Sequence, residues 1–142
     1  MKIFQTAITE RDGVLSGTEP SPLYSTSGDA WSRPLVPVEM ISVLMQYTAR
    51  DHGFKTRGPA VGLFADQEIR LIDGPVFVGE SYDIEREVVA LTGSRRTESA
   101  WVRSTLYAQG TERKIASMLL NLATMKETYA LYGQEHAALY GS

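Results

Sequence analysis

The hydrophobic and polar positions divide the chain into one predicted helix and several predicted strands. Residues 38–50 contain no glycine or proline, and eight of these thirteen residues are apolar. Pro37 stands just before this run and Gly53 follows it, in the positions that favour a helix start and a helix stop. We therefore predict a helix over about residues 38–52. Its apolar residues point in nearly every direction around the axis, so we expect neighbouring structure to cover it on most sides.

The second half of the chain has the composition and alternation of β-strands. Apolar and polar residues alternate with a period of two after Gly58-Pro59, and turns rich in glycine, serine and charged residues separate the runs. Because the turns between consecutive runs are short, we predict an antiparallel meander. A further short strand is predicted near residues 3–8. The four long runs comprise residues 61–72, 82–91, 100–109 and 114–125.

One apolar helix followed by four long strands has few packing solutions. The sheet must curl around the helix, because a flat sheet would leave half of the helix in water. We predict an α+β protein with a single domain over residues 1–142 and a sheet over about 61–126. A C-terminal helix is predicted over about 127–140, with an interruption at Gly133. Residues 10–37 are rich in glycine, serine, threonine and proline, which favours an irregular loop.

Composition and charge exclude several classes of function. Fourteen basic residues against seventeen acidic ones argue against nucleic acid as a partner. The absence of cysteine excludes a disulfide framework and a thiolate metal site, and two histidines make a histidine metal cage unexpected. The apolar runs fall short of the roughly 20 residues that span a bilayer. With no signal peptide in view, we expect a soluble, cytoplasmic protein with no membrane partner.

Three segments resemble motifs of the hotdog fold, and more narrowly of its MaoC-like acyl-thioester dehydratase and hydratase branch. Residues 74–81 (GPVFVGES) resemble the turn that opens the long strand after the helix. Residues 33–40 (RPLVPVEM) resemble the segment that leads into the central helix, and residues 18–24 (TEPSPLY) resemble the hydratase motif. The resemblance covers roughly residues 18–126. It implies a hotdog fold, in which an antiparallel sheet wraps around one long central helix.

The hydratase segment departs from the family at its two catalytic positions. The resemblance places Glu19 where the family has an aspartate and Tyr24 where it has a histidine. In the family, these two residues activate water for addition across an enoyl thioester, which requires a group that titrates near neutral pH. A tyrosine with a pKa of about 10 is a poor base at pH 7. The order of residues 21–24 is similar instead to the N-terminal halves of two-hotdog dehydratases, which lack the catalytic pair.

The start of the predicted helix is a candidate substrate site. Backbone N–H groups near Pro37, Val38 and Glu39 would polarise a thioester carbonyl, because the first N–H groups of a helix lack intrahelical acceptors. Glu39 is also the one carboxylate of this region that would serve a hotdog thioesterase, and equally an acid that favours the helix dipole. Asp29 and Arg33 are expected either to contact substrate or to pair with each other.

The resemblance leaves three functions open. They are a hydratase or dehydratase with an unusual catalytic pair, a non-catalytic subunit that shapes the acyl tunnel of a partner, and a thioesterase. We expect no cofactor other than coenzyme A or an acyl carrier as part of the substrate. Hotdog domains commonly pair, which implies a homodimer or a heteromer with another hotdog subunit, with a seam near Val89 and Leu91. Four turn residues are expected to stay solvated or to meet coenzyme A phosphates: Arg95, Arg96, Arg113 and Lys114.

Overall fold

A computed structural model describes residues 2–7, 22–24, 31–47, 49, 54 and 57–141 of the chain. In this part of the chain, five strands form one sheet, and two α-helices and two short 3₁₀ helices accompany it. The strands are β1 (Lys2–Ala7), β2 (Gly62–Leu71), β3 (Ser81–Gly93), β4 (Thr97–Ala108) and β5 (Lys114–Met125). The α-helices are α1 (Val38–Tyr47) and α2 (Tyr132–Tyr140), and the 3₁₀ helices span Pro22–Tyr24 and Lys126–Thr128.

The strand order is β1-β3-β4-β5-β2, and every neighbouring pair is antiparallel. The hairpins β3–β4 and β4–β5 form the meander that the alternation predicts. The predicted pairing of β2 with β3 is wrong, because β2 pairs with the far side of β5, where Leu71 lies opposite Ala116. The segment between β2 and β3 forms no tight hairpin, since its residue Phe77 pairs instead with Leu35, ahead of the helix.

The core lies between α1 and one face of the sheet. Helix α1 begins at Val38, as the proline before it predicts, and its predicted end near residue 52 lies outside the described residues. Successive strand residues point to opposite faces, so the inward positions of β3, β4 and β5 meet the helix. The buried residues of this cluster include Ile41, Leu44, Met45, Ile84, Leu106, Ala116, Met118 and Leu120.

One side of α1 is not covered by the described part of the chain. Val38 and Val43 are 49% and 51% exposed, so the described residues leave these positions of the helix uncovered, and the expected coverage on most sides stays a prediction. The sheet packs against one side of the helix, and among the described residues the other side therefore stays exposed. Phe64 and Leu71 on the edge strand β2 are also 64% and 51% exposed. We call these four apolar residues the α1–β2 surface.

Polar contacts attach the C-terminal helix to the sheet. Among the described residues, α2 begins at Tyr132 and passes through Gly133 without the predicted interruption, because glycine in a first turn interrupts no interior turn of the helix. No residue of α2 is buried. Glu98 accepts hydrogen bonds from the Tyr132 hydroxyl at 2.8 Å and pairs with Lys126 at 3.0 Å. The helix is therefore held by side-chain hydrogen bonds and charges.

We expect the attachment of helix α2 to the sheet to become less stable at acidic pH. The hydrogen bond from Lys126, followed by that from Tyr132, holds the pKa of Glu98 below its ordinary value. A carboxyl group with a lowered folded-state pKa stabilises the fold above its unfolded pKa of about 4.3, and this stabilisation is lost as the pH falls through the folded-state pKa. The protection of residues 132–140 from hydrogen–deuterium exchange, relative to the intrinsic rate at each pH, should therefore fall below about pH 4. The variant Glu98→Gln should exchange faster already at neutral pH, and equal neutral-pH exchange in both proteins would contradict this role.

Candidate functional site

A short two-stranded ribbon positions the start of α1. The Val36 N–H donates to the Val76 carbonyl at 2.8 Å, and the Val78 N–H donates to the Pro34 carbonyl at 3.0 Å. Between them, Leu35 and Phe77 form an antiparallel bridge. The two segments that carry the family resemblance before the helix and before β3 are therefore hydrogen-bonded to each other.

The first turn of α1 faces solvent at its tip. Pro37 is buried, whereas Val38 and Glu39 are exposed. The Met40 N–H donates to the Pro37 carbonyl at 2.9 Å, and the Ser42 hydroxyl donates to the Glu39 carbonyl at 3.0 Å. The positive end of the helix dipole is thus accessible at Val38 and Glu39. A carboxylate at Glu39 also stabilises this end of the helix.

The described end of the unusual hydratase motif, residues 22–24, is hydrogen-bonded to the ribbon that precedes α1. Tyr24 ends the 3₁₀ helix Pro22–Tyr24 and is half-buried. The Leu35 N–H donates to the Leu23 carbonyl at 2.8 Å, which ties this 3₁₀ helix to the ribbon. The structure therefore brings Tyr24 and the helix start into one region. Glu19 and Asp29 lie outside the described residues.

Arg33 pairs with an acid of the turn before β3. Its Nη1 atom lies 2.6 Å from Glu80 Oε2, and its guanidinium carbon lies 3.7 Å from the centroid of the Phe77 ring. Asp29 lies outside the described residues, so the expected pairing of Arg33 with Asp29 stays a prediction beside the observed pairing with Glu80. Both side chains of the pair are about half exposed, so its contribution to stability is small. Its effect is to hold Arg33 against the aromatic ring.

A cleft of about 410 Å³ opens at this end of the sheet. Trp31 and Phe77 meet edge to face on one side of it, with ring centroids 6.1 Å apart. The buried Tyr82 lies at its base, where the Tyr82 hydroxyl oxygen accepts a hydrogen bond from the Phe77 N–H at 2.8 Å. Burial raises the pKa of Tyr82. We call this feature the end cleft, and of its residues outside the three motifs only Arg113 was predicted from the sequence as a possible ligand contact.

A buried arginine supports the far end of α1. Arg86 is 2% exposed, and its Nε and Nη2 atoms donate to the Met45 carbonyl oxygen at 3.2 and 2.5 Å. Met45 lies in the last described turn of α1, where a cation is favoured by the helix dipole. Burial lowers the pKa of Arg86. The sequence indicates this role in one way: an arginine stands at an inward-facing position of β3, between Ile84 and Val88.

The basic turn residues do not form one cluster. Arg113 lies in the β4–β5 turn, lines the end cleft and pairs with Asp73 at 2.9 Å. Arg95 and Arg96 lie in the β3–β4 turn, which is at the opposite end of the antiparallel sheet. The prediction that both turns together contact one set of coenzyme A phosphates is therefore wrong.

The described residues contain neither a metal-binding cluster nor a membrane-spanning helix. Within the described residues, no three histidine, aspartate or glutamate side chains gather into a group that could hold a metal ion. Among the helices described above, none combines the length and the apolar character that crossing a bilayer requires.

Known proteins resemble this chain in structure and not in sequence. No protein-family model and no curated protein matches the sequence. A chain of the C-terminally truncated HadBC (3R-hydroxyacyl-ACP dehydratase) complex from Mycobacterium tuberculosis is 11% identical with a TM-score of 0.68, over 86% of this chain and 92% of that chain. The MaoC-like dehydratase from Rhodospirillum rubrum is 12% identical with a TM-score of 0.65, over 87% of this chain and 88% of that chain.

A third solved structure belongs to a complex of two different subunits. A chain of the ChsH1–ChsH2 complex from Mycobacterium tuberculosis is 14% identical with a TM-score of 0.58, over 88% of this chain and 81% of that chain. The shared feature in these comparisons is an antiparallel sheet packed on a central helix. The chain therefore has the hotdog fold that the segments at residues 18–24, 33–40 and 74–81 predict, and it shares this fold with MaoC-like dehydratases.

Proposed function

We propose that this chain is an acyl-thioester-binding subunit of the MaoC-like hydratase and dehydratase type, which pairs with a second hotdog subunit and does not perform the acid–base step alone. The substrate is a thioester of coenzyme A or of an acyl carrier, and no other cofactor takes part. The observation that carries the proposal is the 2.8 Å hydrogen bond between Leu35 N–H and the Leu23 carbonyl. This bond holds the segment with Tyr24 beside the start of α1.

The acid–base step lacks a suitable base in that segment. A hydratase needs a group that accepts a proton near neutral pH. A phenol hydroxyl in place of an imidazole is a poor proton acceptor for this step. Glu19 would be left as the one candidate base of the motif, without the partner that the family places five residues later. We therefore expect the chain to bind the thioester substrate without converting it.

The start of α1 supplies the acyl-binding part of the proposal. A thioester carbonyl beside Val38 and Glu39 would meet the positive end of the helix dipole. Pro37 is buried beneath this turn and fixes its backbone. Arg33, held by Glu80 on the neighbouring ribbon, is the cation closest in sequence to this turn. The helix start thus offers a binding site whose polar groups belong mainly to the backbone.

The α1–β2 surface supports pairing with a second subunit. Its four apolar residues are each about half exposed or more, and β2 is an edge strand of the described sheet. An exposed edge strand with apolar residues is a template for pairing with another chain. The solved HadBC and ChsH1–ChsH2 structures are complexes. The predicted seam at Val89 and Leu91 stays a prediction, since β1 pairs with β3 only as far as Glu85 and the described residues leave that edge of residues 86–93 unpaired.

The test is to incubate the purified chain with enoyl-, 3-hydroxyacyl- and saturated acyl-coenzyme A, and to identify products by mass spectrometry. We expect every thioester to remain unconverted and an acyl thioester to stay bound in the native mass spectrum. The variant Tyr24→Phe should behave identically, because the proposal gives the hydroxyl no proton to move.

Two outcomes would overturn the proposal. Addition of one water to the enoyl thioester by the chain alone would mean a complete hydratase, and Tyr24→Phe would then identify the residue responsible. Release of free coenzyme A would mean a thioesterase. In that case Glu39→Gln should abolish hydrolysis, since Glu39 is the carboxylate at the helix start.

A further inference from the structure

The end cleft indicates which carrier holds the acyl group. Resting on the proposed function, we infer that the end cleft binds the adenine base of coenzyme A, so that the substrate is a coenzyme A thioester and not a carrier-protein thioester. The phosphopantetheine arm of a carrier protein has no heteroaromatic base. The cleft therefore distinguishes two substrates that share the same reacting group.

The walls of the cleft suit a flat ring. Ala108, Ile115 and the Tyr82 ring line its interior, and the side chains of Ile115 and Tyr82 are buried. Trp31 and Phe77 stand edge to face on one side, with an angle of 63° between their planes. Stacking on aromatic side chains accepts any base, because every base has a π-face. The volume of about 410 Å³ lies within the range of small-molecule sites.

The polar groups of the cleft favour a neutral ring over a phosphate. Arg33 pairs with Glu80 at 2.6 Å, and Arg113 pairs with Asp73 at 2.9 Å. In the described lining, these two carboxylates offset the two guanidinium charges. A phosphate at this site would be repelled by the carboxylates that accompany each arginine. Adenine, in contrast, has an amine that donates to carboxylates and ring nitrogens that accept from guanidinium groups.

The position of the cleft fits a ligand that continues to the start of α1. Phe77 of the cleft is bridged to Leu35, which precedes the helix by three residues. The five-residue step from Arg33 to Val38 spans at most about 17 Å even when fully extended. A base bound in the cleft would therefore leave the pantetheine arm close to the helix start. Both ends of the ligand would contact the same hydrogen-bonded ribbon.

The test uses probes that separate the base from the acyl arm. The chain has two tryptophans, so the variant Trp101→Phe leaves Trp31 as the only fluorescent indole. In this variant, adenosine 3′,5′-bisphosphate and coenzyme A should quench the fluorescence, and pantetheine should not. In calorimetry, Trp31→Ala should weaken coenzyme A binding about tenfold or more and leave the binding of S-hexanoyl-pantetheine unchanged.

The Trp101→Phe protein is also the matched control for calorimetry. The Trp101 indole N–H donates to the Thr92 hydroxyl at 3.0 Å and lies outside the end cleft, so coenzyme A affinity should be unchanged. Failure of adenosine 3′,5′-bisphosphate to bind, or unchanged coenzyme A affinity in Trp31→Ala, would overturn the inference. If S-hexanoyl-pantetheine binds as tightly as hexanoyl-coenzyme A, the inference fails and the proposed function stands. If neither binds, both fail.

Discussion

Replacing Arg86 with alanine is expected to lower the free energy of unfolding by about 3–5 kcal/mol. The substitution removes both hydrogen bonds to the Met45 carbonyl and leaves a cavity in a part of the core where the arginine is 2% exposed. It also removes the positive charge at the negative end of the α1 dipole. Chemical denaturation of the purified variant measures the change, with an unchanged slope against denaturant showing that the same structure unfolds.

Two matched variants separate the causes of this loss. Arg86→Met keeps most of the side-chain volume and loses the hydrogen bonds, so about half of the destabilisation should remain. Arg103→Ala removes the same side chain from an exposed position of β4 and should change the stability by no more than about 0.5 kcal/mol. A loss below about 1 kcal/mol in Arg86→Ala would contradict the role of this arginine in holding α1.

Charging the α1–β2 surface is expected to separate the subunits. In the double variant Val43→Lys, Phe64→Lys, each subunit loses two apolar side chains and gains two charges at the proposed interface. Burial of one such side chain contributes about 1.5–3 kcal/mol, so the dissociation constant should rise at least a hundredfold, equivalent to about 2.7 kcal/mol. Native mass spectrometry at several protein concentrations measures the fraction of paired subunits. The unmodified chain should pair with a second copy when no other hotdog subunit is present.

The control for this prediction is Leu139→Lys on α2. Leu139 is 71% exposed and is not part of the α1–β2 surface, so its substitution should leave the subunit mass unchanged. The prediction would be wrong if the double variant paired as strongly as the unmodified chain. Loss of pairing in Leu139→Lys would instead place the interface at the C-terminal helix.

The parts of the fold that depend on local sequence could be predicted. Pro37 fixes the start of α1 because its ring suits a first helical turn. The alternation along residues 100–109 predicts β4, since each second residue faces the core. The three motifs predict the hotdog fold because they describe the turns around the central helix. The pairing partner of β2 could not be obtained in this way, because it depends on Phe77 joining Leu35 across the end of the sheet.

The side-chain contacts of the candidate site depend on tertiary structure. Glu80 belongs to a recognised motif, but its pairing with Arg33 joins residues that are 47 positions apart. The Tyr82 hydroxyl that accepts from Phe77 lies on a strand predicted only as part of the core. Arg86 breaks an apolar face, and its acceptor is a backbone carbonyl that no sequence pattern reveals. Such contacts require the distances between elements, which periodicity does not provide.

We propose that this chain binds acyl thioesters and lacks a working acid–base pair. The most direct measurement is the rate of water addition to crotonyl-coenzyme A by the unmodified chain and by the double variant Glu19→Asp, Tyr24→His. We predict no addition by the unmodified chain and a measurable rate in the double variant, whose histidine titrates near neutral pH. Hydration by the unmodified chain at a rate equal to or above that of the double variant would show that the chain already has a working acid–base pair.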